Sequence, residues 1–198
     1  MSGTMIQLWC DTETTGINPA ESGAFELAFL IYEDAELKAE KVYNLNPLND
    51  TIRFGEEAFK VNGVSEEMIR SYPAAEEVMP EVAVFLEQYA PPEKMVFAGY
   101  RCGFDYGHIA ALLTRCGYSI GNYCNGRMID VLELVKKAEA RGVLVTGTKN
   151  KKLETMTKAL GIPHGAAHTA LSDIKAARQL YEAIYRLSCG KNDTGGKK

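Results

Sequence analysis

Three apolar runs near the N-terminus, residues 5–10, 25–32 and 42–45, are joined by short connections. Their β-prone composition reads as strands. Short connections favour antiparallel neighbours, because a parallel pair needs a crossover of a dozen or more residues. Pro47 closes this meander, and beyond it helices and strands alternate. Ser65 before Glu66, Glu67 and Met68 reads as a helix start. Val78, Val82, Phe85, Leu86 and Tyr89 recur at helical spacing up to Pro91-Pro92. Residues 95–98 read as a fourth strand, 104–116 as a helix burying Ile109, Leu112 and Leu113, and Met128-Ile129 as the end of a fifth strand. Helices follow over 131–140, around Leu153, Met156 and Leu160, and along the stripe Leu171, Ile174, Ala177, Tyr181 and Ile184. This order predicts an α/β domain with a mixed sheet.

Of the 198 residues 46% are hydrophobic, enough for a core without disulfide or metal staples. No apolar run approaches the ~20 residues of a spanning helix. The start, Met1-Ser2-Gly3-Thr4-Met5, lacks the basic segment and apolar stretch of a signal peptide. The five cysteines form no Cys-x-x-Cys pair, which points to reduced thiols and a cytoplasmic protein rather than a zinc ribbon. Residues 1–189 are expected to form a single domain and 190–198 a disordered polar tail. Charge is divided unevenly. Residues 1–100 hold 18 acidic and 6 basic groups; residues 101–198 hold 8 and 16. The split suggests two domains or a charged binding face.

The chemistry-bearing residues fall in three places. If the first strand extends through Asp11-Thr12-Glu13, the two-residue spacing puts both carboxylates on one face. Adjacent carboxylates repel unless a cation lies between them, and oxygen donors suit the hard ions Mg²⁺ and Mn²⁺. A solvated turn would use the same residues. Phe104-Asp105 opens a helix, where an Asp can also be an ordinary cap. Asp173 falls inside the last helix near an apolar stripe, an expensive place for an unpaired charge. His168, five residues earlier, would be rotated by roughly 140° on an ideal helix, so it belongs on the preceding loop. A neutral histidine there can take a proton from water near pH 7, or stay an exposed, idle loop residue.

Asp-x-Glu at the end of the first strand, Asp at a mid-chain helix start and His-x4-Asp before and on the last helix resemble the three motifs of the DEDDh exonucleases. That class of the DnaQ-like superfamily includes the DNA polymerase III proofreading subunit, RNase T and exonuclease X. Thr14-Thr15-Gly16, Asn62-Gly63-Val64 and Leu160-Gly161-Ile162-Pro163 also look like family features, so the resemblance runs from about residue 5 to 187. Thr169 stands where the tyrosine variant would need Tyr. The family usually carries Asn four residues before the middle Asp; here that residue is Arg101, a phosphate ligand or a surface residue.

The resemblance implies an RNase H-like, five-stranded mixed sheet flanked by helices. It also implies a 3′–5′ exonuclease that releases nucleoside 5′-monophosphates from single-stranded DNA or RNA by two-metal-ion hydrolysis. Two divalent cations, Mg²⁺ or Mn²⁺, would sit on Asp11, Glu13, Asp105 and Asp173, with His168 as general base. Substrate would meet Thr14, Thr15, Gly16, Ile17, Val61, Asn62, Arg101 and Phe104. Ile17 and Val61 would wedge against the last base, unless they are core. Seven cations between Lys136 and Lys158 could track a phosphate backbone or form a solvated face. The competing reading is a non-catalytic or accessory nucleic-acid-binding subunit of a polymerase or proofreading complex. The few hydrophilic residues after Leu187 argue against docking to a polymerase. A homodimer stays open, and no membrane partner is expected.

Overall fold

The computed structural model describes residues 4–55, 63–165 and 169–190. The first three strands are β1 (Ile6–Thr14), β2 (Ala24–Glu33) and β3 (Glu36–Asn44). They pair antiparallel, β1 with β2 and β2 with β3. Asp34 turns the β2–β3 hairpin at φ 52°, a conformation that short polar residues tolerate. Helix α1 (Glu66–Arg70) starts where expected: the Ser65 hydroxyl accepts the Met68 N–H. Helix α2 (Ala75–Tyr89) leads to β4 (Met95–Gly99), which is buried throughout. Helix α3 (Gly103–Arg115), β5 (Cys124–Asp130), α4 (Val131–Ala140), α5 (Leu153–Ala159) and α6 (Ala170–Gly190) complete the described chain.

The sheet order is β3-β2-β1-β4-β5, with β1/β4 and β4/β5 parallel. This is the mixed five-stranded RNase H-like sheet. Alternation along β1 divides its side chains between two layers. Leu8 and Cys10 face the cluster built with Met79, Val82 and Leu86 of α2 and Ile109, Leu112 and Leu113 of α3. Trp9 faces the opposite cluster, with Val131 and Val135 of α4 and Ile174, Ala177 and Leu180 of α6. The Trp9 ring packs 5.2 Å from Tyr181, so the single tryptophan is core.

Two strands differ from the sequence reading. β1 does not stop at Cys10 but continues through Asp11-Thr12-Glu13-Thr14, because β2 pairs with it along its whole length. β3 begins at Glu36 rather than at Val42. It is an edge strand with charged residues outward, and ion pairs such as Lys38 with Glu33 and Glu36 serve it where an apolar pattern is missing. Helix α6 runs through Gly190, where the polar tail was expected to begin; residues 191–198 lie outside the described residues. Among the described residues no helix is long and apolar enough to cross a membrane.

At its carboxyl end β4 parts from β1. A Cβ on Gly99 would stand 2.8 Å from the Cys10 carbonyl oxygen, so only glycine lets the strands approach before they diverge. Arg101 follows at φ 57°. The gap opens beside Asp11, at the carboxyl ends of parallel strands where ligands of open α/β sheets bind.

Candidate active site

Since Trp9 faces α6, so do Asp11 and Glu13, two and four residues on. Across the ladder Asp11 stands opposite Ala28, whose small side chain leaves room, and Glu13 stands opposite Glu26. Asp173 sits in the first turn of α6 and completes the group. One ligand oxygen from each of Asp11, Glu13 and Asp173 lies within 4.8 Å of the others. Three acidic oxygens from a strand and a helix, partly buried and mutually repelling, fit a hard divalent cation.

Asp105 approaches from the other layer. It is buried at the start of α3, and its Oδ1 accepts the Thr12 N–H at 3.0 Å and the Thr12 hydroxyl at 2.8 Å. It lies outside the three-oxygen group but lines the same cavity. Burial raises the Asp11 carboxyl well above its usual range, with Asp105, Asp173, Glu13 and Glu26 adding to it. Burial, then Asp173, Glu26 and Asp105, pushes Glu13 up to about 8. Burial raises Asp105 to about 7 against the opposing pull of the Thr12 bonds.

A cavity of about 760 Å³ joins the expected residues Asp11, Glu13, Ile17, Arg101, Phe104, Asp105 and Asp173. Ile17 is 85% exposed at its edge, not core, and Phe104 is 40% exposed. Thr14, Thr15 and Gly16 are not among its lining residues. The Thr14 hydroxyl donates to the Gly16 carbonyl, and the fully buried Thr15 hydroxyl accepts the Gly23 N–H. Both hold the turn that presents Ile17. Val61, Asn62 and His168 lie outside the described residues.

Other residues entered the site that the motifs had not assigned to it. His164 Nε2 lies 2.7 Å from Asp173 Oδ1. It precedes Asp173 by nine residues, and only the fold brings the two side chains together. Tyr100, Leu132 and Leu153 line the cavity, as do Lys151 and Lys152 from the basic strip. The Tyr100 hydroxyl donates to the Lys151 carbonyl and ties that loop down. The strip is less positive than its count suggests, since Lys151 pairs with Glu139 and Lys136 with Glu133, each at 2.7 Å. Asp130 caps α4 and also accepts the Arg101 N–H at 3.2 Å, fixing the turn that aims Arg101.

A family model described as exonuclease, of RNase T type, matches residues 8–181. The chain belongs to this exonuclease family. It is thus a member of the DnaQ-like 3′–5′ exonuclease superfamily. The PolC-type DNA polymerase III of Thermotoga petrophila is similar at 23% identity over 171 residues, covering 86% of this chain and 11% of that protein. The PolC-type polymerase of Bacillus cereus is 27% identical over 173 residues with the same shares. The chain therefore spans 11% of the length of these relatives. E. coli exonuclease I in complex with a dT13 oligonucleotide shares the exonuclease fold at a TM-score of 0.81 and 20% identity, covering 96% of this chain and 43% of that one. A zinc-bound complex of the same enzyme with single-stranded DNA superposes at 0.78 and 21% identity, over 92% and 40%.

The raised carboxyls make stability depend on pH with a definite sign. Between about pH 4 and about 8 the folded chain holds protons that the unfolded chain has released. These groups cost nothing below the ordinary carboxylate range, and their full penalty is present above about pH 8. In EDTA the urea midpoint of the wild type should fall as pH rises from 5 to 8, and Glu13→Gln should flatten the fall. A slope that Glu13→Gln leaves unchanged contradicts this account.

Arg101 carries a second expectation. Its left-handed backbone suits Asn better than Arg. Arg101→Asn should stabilise the fold by about 1 kcal/mol in urea unfolding. If its guanidinium holds phosphate, KM for an oligonucleotide should rise about tenfold. An unchanged KM removes Arg101 from the substrate contacts.

Proposed function

We propose that the chain hydrolyses single-stranded DNA or RNA from the 3′ end and releases nucleoside 5′-monophosphates. The observation that carries this reading is the three-oxygen group of Asp11, Glu13 and Asp173 in a cavity edged by apolar and cationic side chains. Asp11, Glu13 and Asp173 would hold one Mg²⁺ or Mn²⁺, and Asp105 would support a second beside Asp11. Divalent cations at such a site activate water and stabilise a leaving oxygen.

The chain's own residues supply the rest. Ile17 and Phe104 offer apolar surface at the cavity edge to the terminal base. Stacking on an aromatic ring is worth ~1–3 kcal/mol per base and tolerates any sequence. Arg101 and Lys152 place positive charge on the cavity wall, where a backbone phosphate would pass. His168, by its place five residues before Asp173, takes a proton from the attacking water. His164 holds Asp173 Oδ1 and orients that carboxylate. The single-stranded oligonucleotides bound by exonuclease I support the DNA reading.

A second reading is favoured by the PolC-type relatives, of which this chain matches only a small part. In that reading it serves a polymerase as a nucleic-acid-binding unit without activity of its own. One assay separates the two. With Mg²⁺ or Mn²⁺, the purified chain should shorten 5′-labelled single-stranded DNA or RNA into a descending ladder. Asp11→Ala should lose at least about a hundredfold in rate. His168→Ala should lose about 10²–10⁴-fold. Equal degradation by wild type and Asp11→Ala would end the catalytic reading; a folded wild type that binds but never cuts would favour the accessory one.

A further inference from the structure

Glu26 is a carboxylate beside the site that neither the three-oxygen group nor the cavity lining includes. It pairs across the antiparallel ladder with Glu13, so it stands on the face that meets α6. Its Oε1 accepts the backbone N–H of Ala170 at 2.8 Å, across 144 residues of sequence. Ala170 is the first residue of α6 and is fully buried. An N–H at a helix start has no partner within its own helix and must find one elsewhere. Thr169 serves the next donors: its hydroxyl accepts the Ser172 N–H at 3.3 Å and its carbonyl the Asp173 N–H at 3.0 Å. The Ala170 N–H is gripped from the sheet.

That grip has a geometric consequence. Asp173 lies three residues beyond Ala170, and each helical residue carries a rise of 1.5 Å and a rotation of roughly 100°. A slip or turn of α6 by one residue would carry the Asp173 carboxylate away from Asp11 and Glu13. The bond is made at an electrostatic cost. Burial raises the Glu26 carboxyl, the Ala170 N–H opposes the rise, and Asp173 adds to it. A small polar residue caps a helix with no such repulsion, but it would not span from β2 to α6.

We propose that Glu26 is a positioning residue. By accepting the Ala170 N–H it sets the height and rotation of α6, and so places Asp173 beside Asp11 and Glu13. Glu26 acts through the helix and is not itself a metal ligand. The proposal rests on the exonuclease reading, and Mn²⁺ binding lets the two be judged apart.

Three substitutions separate hydrogen bond from charge. Glu26→Gln keeps an acceptor of the same length without the charge. Glu26→Asp keeps the charge but is one methylene too short to reach. Glu26→Ala removes both. On the full chain, Mn²⁺ affinity is measured by titration calorimetry and kcat and KM on a single-stranded oligonucleotide, with melting curves to fix the folded fraction. Glu26→Gln should stay close to wild type. Glu26→Asp and Glu26→Ala should lose about 10–100-fold in Mn²⁺ affinity and in kcat, with KM unchanged. If Glu26→Ala does not fold, the Gln and Asp variants decide alone. Glu26→Asp matching or exceeding Glu26→Gln overturns the proposal, as does a folded Glu26→Ala with wild-type Mn²⁺ affinity. A wild type that binds Mn²⁺ but cuts nothing sinks the exonuclease reading and leaves the positioning claim to the calorimetry.

Discussion

Three carboxylates held within 4.8 Å of one another must be forced together, because each repels the other two and all are partly desolvated. The force comes from the layer beneath them. Trp9, Leu30, Ile174 and Leu180 are buried between the sheet and α6. A fully buried side chain of this size contributes about 1.5–3 kcal/mol. A handful of such contacts offsets a repulsion of several kcal/mol, so the packing of α6 on β1 and β2 sets the chemistry above it. Alternation on β1 does the sorting. Odd residues after Trp9 go to the α6 side as ligands, while Thr12 goes to the α3 side and holds Asp105.

Both halves of the unevenly charged chain enter this site, and the basic half also contributes Asp105 and Asp173. The acidic first half supplies Asp11, Glu13 and Glu26, and the basic second half supplies Arg101, Lys151 and Lys152 on the cavity wall. Both halves contribute strands to one sheet. β4 lies between β1 and β5, and α6 packs back on the first two strands. A site that is acidic at its base and cationic along one wall repels a bare polyanion at its centre and attracts its backbone at the side. Divalent ions at the carboxylates would remove the central repulsion.

Much of this was legible in the residues. Apolar spacing placed α3 and α4 to within a residue and found α2 and α6 while missing the first turn of one and the last turns of the other, and Asp173 stood out as a charge beside an apolar stripe. The misses have physical causes. The polar end of β1 and the charged edge of β3 carry no apolar pattern, because pairing and ion pairs hold them. Ile17 could have been core or surface by its side chain alone, and the buried Thr15 beneath it exposes it. Arg101 showed in sequence as a departure from the family's Asn, but its left-handed backbone did not. His164 and Glu26 act through contacts that loop folding and a 144-residue separation create, which no local period encodes.

In the proposed reading, strand β1 and helix α6 build one divalent-cation site from Asp11, Glu13 and Asp173. A crystal soaked in Mn²⁺ and measured for anomalous scattering tests it most directly. An anomalous peak is expected among those three carboxylates in the wild type and none there in Asp173→Ala. A well-ordered wild-type crystal with no peak at that position, or with its manganese bound only elsewhere, would contradict it.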